Sequence, residues 1–194
     1  MKTAKFLLAV WSLSCWTLHA EIIDRMMAVV NGRMITLGDV RVERDLQGVF
    51  GGNPASEEVI LQNMVEQYLI EEQIAQFPGI EVSVGEIDSA FALFKNPGTV
   101  PEQSIRAALR KRIERSRYFD LRFRQFITVT DDEVRRYYDT VFLPAARDRG
   151  VATVPALPGI SADIRANVVD EKMNQEVASW LDAIRERSEI EIFK

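Results

Sequence analysis

At 194 residues and a formal charge of −5, the chain is long enough to bury one adequate core and too acidic to favour non-specific binding to nucleic acid. Its single cysteine and single histidine, Cys15 and His19, both fall in the first twenty residues. The remainder therefore has no thiol, disulfide or imidazole, which excludes cysteine and histidine catalysis and ordinary zinc or copper ligation.

The opening segment predicts a secretory signal. Lys2 and Lys5 form a short positive region, residues 6–18 are mostly apolar, and the small residue Ala20 precedes Glu21. The apolar run is about a dozen residues, against the roughly twenty a membrane span needs. A lipid anchor at Cys15 is disfavoured because Ser12-Leu13-Ser14 lacks the usual large apolar residue three positions earlier. We expect cleavage between Ala20 and Glu21 and export of residues 21–194, without a later membrane span. Loss of the two lysines takes the formal charge from −5 to −7.

Residues 26–36 predict a hairpin, because Asn31-Gly32 suits a tight type I′ turn between two apolar runs. Thr36 or Asp39 then caps a helix to about Gln47. Gly51-Gly52-Asn53-Pro54 breaks the chain, and Ser56 starts a second helix to about Phe77, stopped by Pro78-Gly79. Ser83 begins a third, with Ile87, Phe91 and Phe94 on one face. Pro101 opens a long fourth helix, in which Ile105, Leu109, Ile113, Phe119, Phe123 and Ile127 share a face. Thr130 caps a fifth helix through Phe142, with Asp131, Asp132 and Glu133 in its first turn. Residues 144–159 are rich in proline and glycine and read as a linker. A last helix is expected over residues 161–187, followed by an alternating strand at Ile190-Glu191-Ile192. A lone hairpin is marginal in water. The C-terminal strand should therefore join it, with Ile190 and Ile192 pointing inward near Val29, Trp180 and Leu181. The expected fold is mostly α, a single helical bundle over residues 21–194 sealed by a small sheet that unites the chain ends.

Chemistry-bearing motifs are sparse. The carboxylates Glu71-Glu72 and Asp131-Asp132-Glu133 suit a solvated face and a helix N-terminus better than acid/base catalysis. The fourth helix is basic, from Arg106 to Arg124, and a solvated face or pairing with the acidic second helix explains it better than nucleic acid or a membrane surface. No glycine-rich phosphate loop, serine elbow or metal-spaced acid cluster is present, so no catalytic residue, metal or cofactor is expected. Tyr118 and Leu121 lie off the fourth helix's main apolar face. They touch an unfolded client or, the preferred reading, pack under the last helix. With Tyr138 and Phe142 they form the candidate polypeptide-binding set.

Three segments, in order, resemble the SurA family of periplasmic chaperones, specifically its N-terminal domain. They are residues 24–39 (DRMMAVVNGRMITLGD), 127–138 (ITVTDDEVRRYY) and 180–192 (WLDAIRERSEIEI). The resemblance implies a helical fold similar to the SurA N-terminal and trigger-factor C-terminal domains, a periplasmic location and binding of unfolded or envelope polypeptides. Relatives carry parvulin-type prolyl isomerase domains between the second and third segments. Here only the short linker stands there, which together with the missing histidine implies no isomerase activity. Residues 94–105 also look shorter than in relatives, as if one helix were lost. The alternatives are a dedicated adaptor subunit of an envelope complex, or an enzyme, isomerase or carboxylate-based hydrolase. Suppression of aggregation across unrelated proteins would separate chaperone from adaptor.

Overall fold

Asn31 and Gly32 both adopt positive φ, 48° and 80°, and this turns β1 (Met26–Val30) antiparallel into β2 (Arg33–Thr36). The computed structural model describes residues 24–193 other than 54, 95–97, 99 and 152, so the expected cleavage point between Ala20 and Glu21 lies outside the described residues. The C-terminal strand β3 (Ile190–Ile192) pairs antiparallel with the other edge of β1, giving the order β2-β1-β3. Asn31 serves as turn and clasp together. Its backbone N–H donates to Glu189 O at 2.8 Å, its side-chain oxygen accepts from Glu189 N at 2.9 Å, and its Nδ2 donates to Glu72 at 2.7 Å.

The fold is mostly α, as the periodicity predicts. Helix α1 (Leu37–Val49) is capped by Thr36, α2 (Glu57–Ala75) by Ser56, and α3 (Val84–Ala92) by Ser83. Helix α4 (Glu102–Arg122) follows Pro101, and α5 (Asp131–Tyr137) is capped by Thr130. At α1, α3 and α5 the residue three positions on, Asp39, Glu86 or Glu133, returns a carboxylate to the cap's own N–H. Each box satisfies two backbone donors that a helix start leaves open. A π-helical turn, Tyr138–Phe142, carries α5 on into α6 (Leu143–Asp148), so the two make one rod. The wide turn sits directly before Pro144, which has no N–H for a bond to the fourth residue back. The final helix, α7 (Leu157–Arg185), is the longest.

Three apolar clusters hold these elements. In the main core Ala28, Val30 and Ile35 of the sheet meet Val40 of α1, Ile60, Val65 and Leu69 of α2, and Ile184 of α7. Full burial of each such isoleucine contributes roughly 1.5–3 kcal/mol. A second cluster joins Leu46 of α1 to Ile105 and Leu109 of α4, with Phe50, Phe91 and Phe94 against it. A third joins Val134 of α5 to Ile164 and Val168 of α7.

Four expectations are corrected. Residues 144–148 and 157–159 are helical, so among the described residues the non-helical connection is confined to 149–151 and 153–156. Gly150 at φ 68° stops α6, with Val151 N returning to Ala146 O at 3.1 Å, and Pro158 sits in the first turn of α7, where its missing N–H costs nothing. Ile127 lies outside α4. The chain must be extended before the Thr130 cap, so α4 ends at Arg122 and a 3₁₀ turn, Arg124–Phe126, redirects it. Ile190 packs on the main core, but Ile192 is 45% exposed at the sheet edge. The register sets Ile190 against Val30 and Ile192 against Ala28, whereas Val29 faces Glu191 on the other side.

The α5 cap gives a testable pH dependence. Lys172 of α7, 2.6 Å away, and the Thr130 N–H hold the Glu133 carboxyl down at about 2, against an ordinary value of 4.5. A depressed carboxylate contributes stability that is present above its unfolded pKa and is lost as pH falls through its folded one. Thermal midpoints measured from pH 5 to pH 2 should therefore fall more steeply for the native chain than for Glu133→Gln. Parallel curves would show that this contact does not hold α5 to α7.

Candidate functional site

Two surfaces carry more chemistry than packing requires. The first lies where α4 ends beside the middle of α7. Trp180 reaches from α7 to the rings of Tyr118, Phe119 and Phe123, at centroid distances of 5.7, 6.1 and 5.5 Å. Phe77, after α2, closes the other side of Tyr118 at 5.4 Å. Beyond this cluster the 3₁₀ turn presents Phe126, 73% exposed, and α4 presents Leu121, 43% exposed. Phe123, Phe126 and Ile127 line an open depression of about 520 Å³, rimmed by Arg122, Lys172 and Glu176.

Polar contacts from α7 hold the depression's walls. Arg124 bridges Asp120 and Asp170, at 2.7 and 2.9 Å. Lys172 donates to Thr128 O at 2.8 Å, and Arg165 donates to Val129 O and pairs with Asp131. The aromatic face is thus set on two helices and a pinned turn.

Of the four sequence-derived binding residues only Leu121 is exposed, on α4 two positions before Phe123 and outside the lining of the depression. Tyr118 is 3% exposed, held between Phe77 and Trp180, so the packed reading is the correct one for it. Tyr138 and Phe142 stack on one another at 5.6 Å against the third cluster, and the Tyr138 hydroxyl donates to Pro155 O at 2.8 Å. They fasten the connection between α6 and α7 rather than face a groove. Sequence reasoning missed Phe126, Phe123 and Trp180 as a surface. The available signal was a phenylalanine directly ahead of a β-branched run and a helix cap, where a helix face cannot bury it.

The second surface is a cleft of about 280 Å³ between α1, α2 and α4. Leu46, Phe50, Ile70 and Ile74 give it an apolar wall. Glu43 and Glu71 face Lys111, Arg112 and Arg115 across it. Glu71 is taken by Lys111 at 2.7 Å and Arg33 at 2.8 Å. Arg112 lies over the Phe50 ring at 3.9 Å. Arg115 is half-buried and forms no ion pair among the described residues. Burial, with Arg112 alongside, lowers the Arg115 pKa, and burial raises the Glu43 carboxyl despite the opposing pull of Arg112.

The remaining charged motifs are structural. Arg106 and Arg117 of α4 pair with Asp88 and Glu86 of α3, and Arg110 donates to Val82 O at 3.0 Å. Among the described residues no group of three acidic, histidine or cysteine side chains is placed to hold a metal, and no helix is long and apolar enough to cross a membrane. No family model matches the chain, and no curated protein sequence matches it.

Proposed function

We propose that the protein is a periplasmic chaperone-like module that holds unfolded or outer-membrane-bound polypeptides by their apolar segments, without isomerase activity. The observation that carries the reading is the aromatic face at the end of α4, where Phe126 stands in solvent beside Phe123, the ring that Trp180 backs. A large exposed aromatic on a pinned turn is a poor choice for a surface that meets only water, and such patches commonly mark interaction sites. Its occupant is an extended chain bearing aromatic or branched side chains, because the depression is shallow and open and offers apolar contact with mixed charge at the rim. The three segments similar to the SurA N-terminal domain support the same reading, and two of them, residues 127–138 and 180–192, flank this face.

In a chain beginning at Glu21, Trp180 is the sole tryptophan, so its fluorescence reports directly on the face. Several unrelated unfolding proteins should aggregate more slowly in the presence of the protein, and aromatic peptides should shift the Trp180 emission. The double variant Phe126→Ser, Leu121→Ser should lose most of both effects with little change in melting, since both side chains are exposed. Proline-limited refolding should run at the buffer rate throughout. Full activity in the double variant would remove this face from the mechanism, and protection of one protein alone would point to a dedicated adaptor.

A further inference from the structure

We propose that the cleft between α1, α2 and α4 binds a carboxylate carrying a small apolar body, with Arg115 and Arg112 holding the carboxylate and the wall of Phe50, Ile70 and Ile74 taking the body. This site is separate from the aromatic face and does not depend on it.

The argument starts from charge. Of the five charged side chains in the cleft, Glu71 and Lys111 pair with one another, and Arg33 adds a second cation to Glu71 from outside. Two guanidinium groups then stand against one carboxylate, Glu43, and make no ion pair with it. A half-buried arginine that has Glu43 and Glu71 near it but contacts neither directly is an unusual thing for a fold to keep, because desolvating a charge is costly unless it is paired. An incoming anion supplies what Arg115 lacks.

The ligand's class follows from the lining. Guanidinium groups present planar pairs of donors that match a carboxylate. A dianion such as phosphate would meet more repulsion from Glu43 and Glu71 than a monoanion does. The apolar wall favours a ligand with a hydrocarbon or aromatic body. A volume of about 280 Å³ sits at the lower end for small-ligand sites and limits that body to roughly one large side chain. Both a free small acid and the C-terminal residue of a peptide have this chemistry.

The test uses the chain beginning at Glu21 with three probes: N-acetyl-L-phenylalanine, its amide, and 3-phenylpropionate, followed by calorimetry and protein-observed NMR. At least one acid should bind, with shifts centred on residues lining the cleft, and the amide should bind about tenfold more weakly or not at all. Binding of 3-phenylpropionate alone assigns the site to free acids, and binding of N-acetyl-L-phenylalanine assigns it to a peptide end. Arg115→Gln and Arg112→Gln should each weaken the acid about tenfold, whereas Glu43→Gln, which removes the competing charge, should tighten it. Arg135→Gln, on α5 and outside the cleft, should change nothing. The proposal is overturned if neither acid binds below about 10 mM, if acid and amide bind alike, or if Arg115→Gln leaves the affinity of a folded protein unchanged.

Discussion

Deleting residues 189–194 should lower the thermal midpoint by about 10 °C and make the protein self-associate. The C-terminal strand completes the sheet that roofs the main core. Ile190 packs on that core, and β3 pairs with β1 along its length. Beyond the ladder, Phe193 N donates to Met27 O at 2.9 Å, and Asn31 exchanges two hydrogen bonds with Glu189. Partial burial of one isoleucine is worth about 1–2 kcal/mol, and each hydrogen bond about 0.5–1.5 net. The total of about 3–5 kcal/mol is a large share of a margin of about 5–15. At about 2–4 °C per kcal/mol for a chain of this size, the stated shift follows. The deletion also turns β1 into an open edge and uncovers Ala28 and Val30, which are now fully buried. Unpaired edges of this kind template association between chains. Circular dichroism melts and light scattering read the two effects. Ile190→Ala should reproduce part of the loss and Ile192→Ala little of it, because Ile192 already stands nearly half in water. A deletion that melts within two degrees of the full chain would show that the sheet does not hold the chain ends together.

What could be read in advance divides along the range of the interactions. The Asn31-Gly32 turn and the caps at Thr36, Ser56, Ser83 and Thr130 are local devices whose residues lie within four positions of one another, and each forms where the pattern places it. The pairing of β3 with β1 spans the whole chain, yet it was legible because an alternating tail and an unsupported hairpin each needed a partner. Tyr118 shows the limit. On a helical wheel it falls off the face of Ile105 and Leu109, but α4 meets different neighbours along its length. Its first half packs on α1 and α3, and its second half is enclosed by Phe77 and Trp180. One periodic stripe cannot describe a helix that buries two faces. Residues 144–159 misled for a related reason. Proline and glycine read as breakers in sequence, whereas Pro144 follows a π turn within a continuing rod and Pro158 opens a helix. The carboxylate cleft left no trace in the pattern, since Glu43, Arg112 and Arg115 come from helices far apart in sequence and look like ordinary solvated charges.

Trp180→Ala should destabilise the protein by about 3 kcal/mol and abolish client protection even where the variant remains folded. Truncating a fully buried tryptophan or phenylalanine costs about 3–5 kcal/mol, and Trp180 is half-buried, which places it at the low end. Its ring contacts add to the area it covers, as aromatic pairs contribute about 0.5–1.5 kcal/mol beyond burial. Trp180 touches Tyr118, Phe119 and Phe123 of the α4 end and also packs on the main core with Ile184 one turn further on. It therefore ties three things together: the sheet core, the second half of α4 and the aromatic face. Without it α7 keeps Ile184 in the main core and Ile164 with Val168 against α5, so the helix itself should survive. What loosens is the stretch between, where Phe123 loses the ring that backs it and Phe126 is left on a turn held by the polar contacts of Arg124, Lys172 and Arg165. Trp180→Phe retains an apolar ring in the same place and should lose about 1 kcal/mol with part of the activity. Melting curves together with aggregation assays well below the variant's midpoint separate the two consequences. If Trp180→Ala melts with the native protein, the aromatic cluster does not join α4 to α7. If it melts early but protects clients fully when folded, Phe126 and Leu121 act without a fixed backing, and the binding face is a mobile turn rather than a built surface.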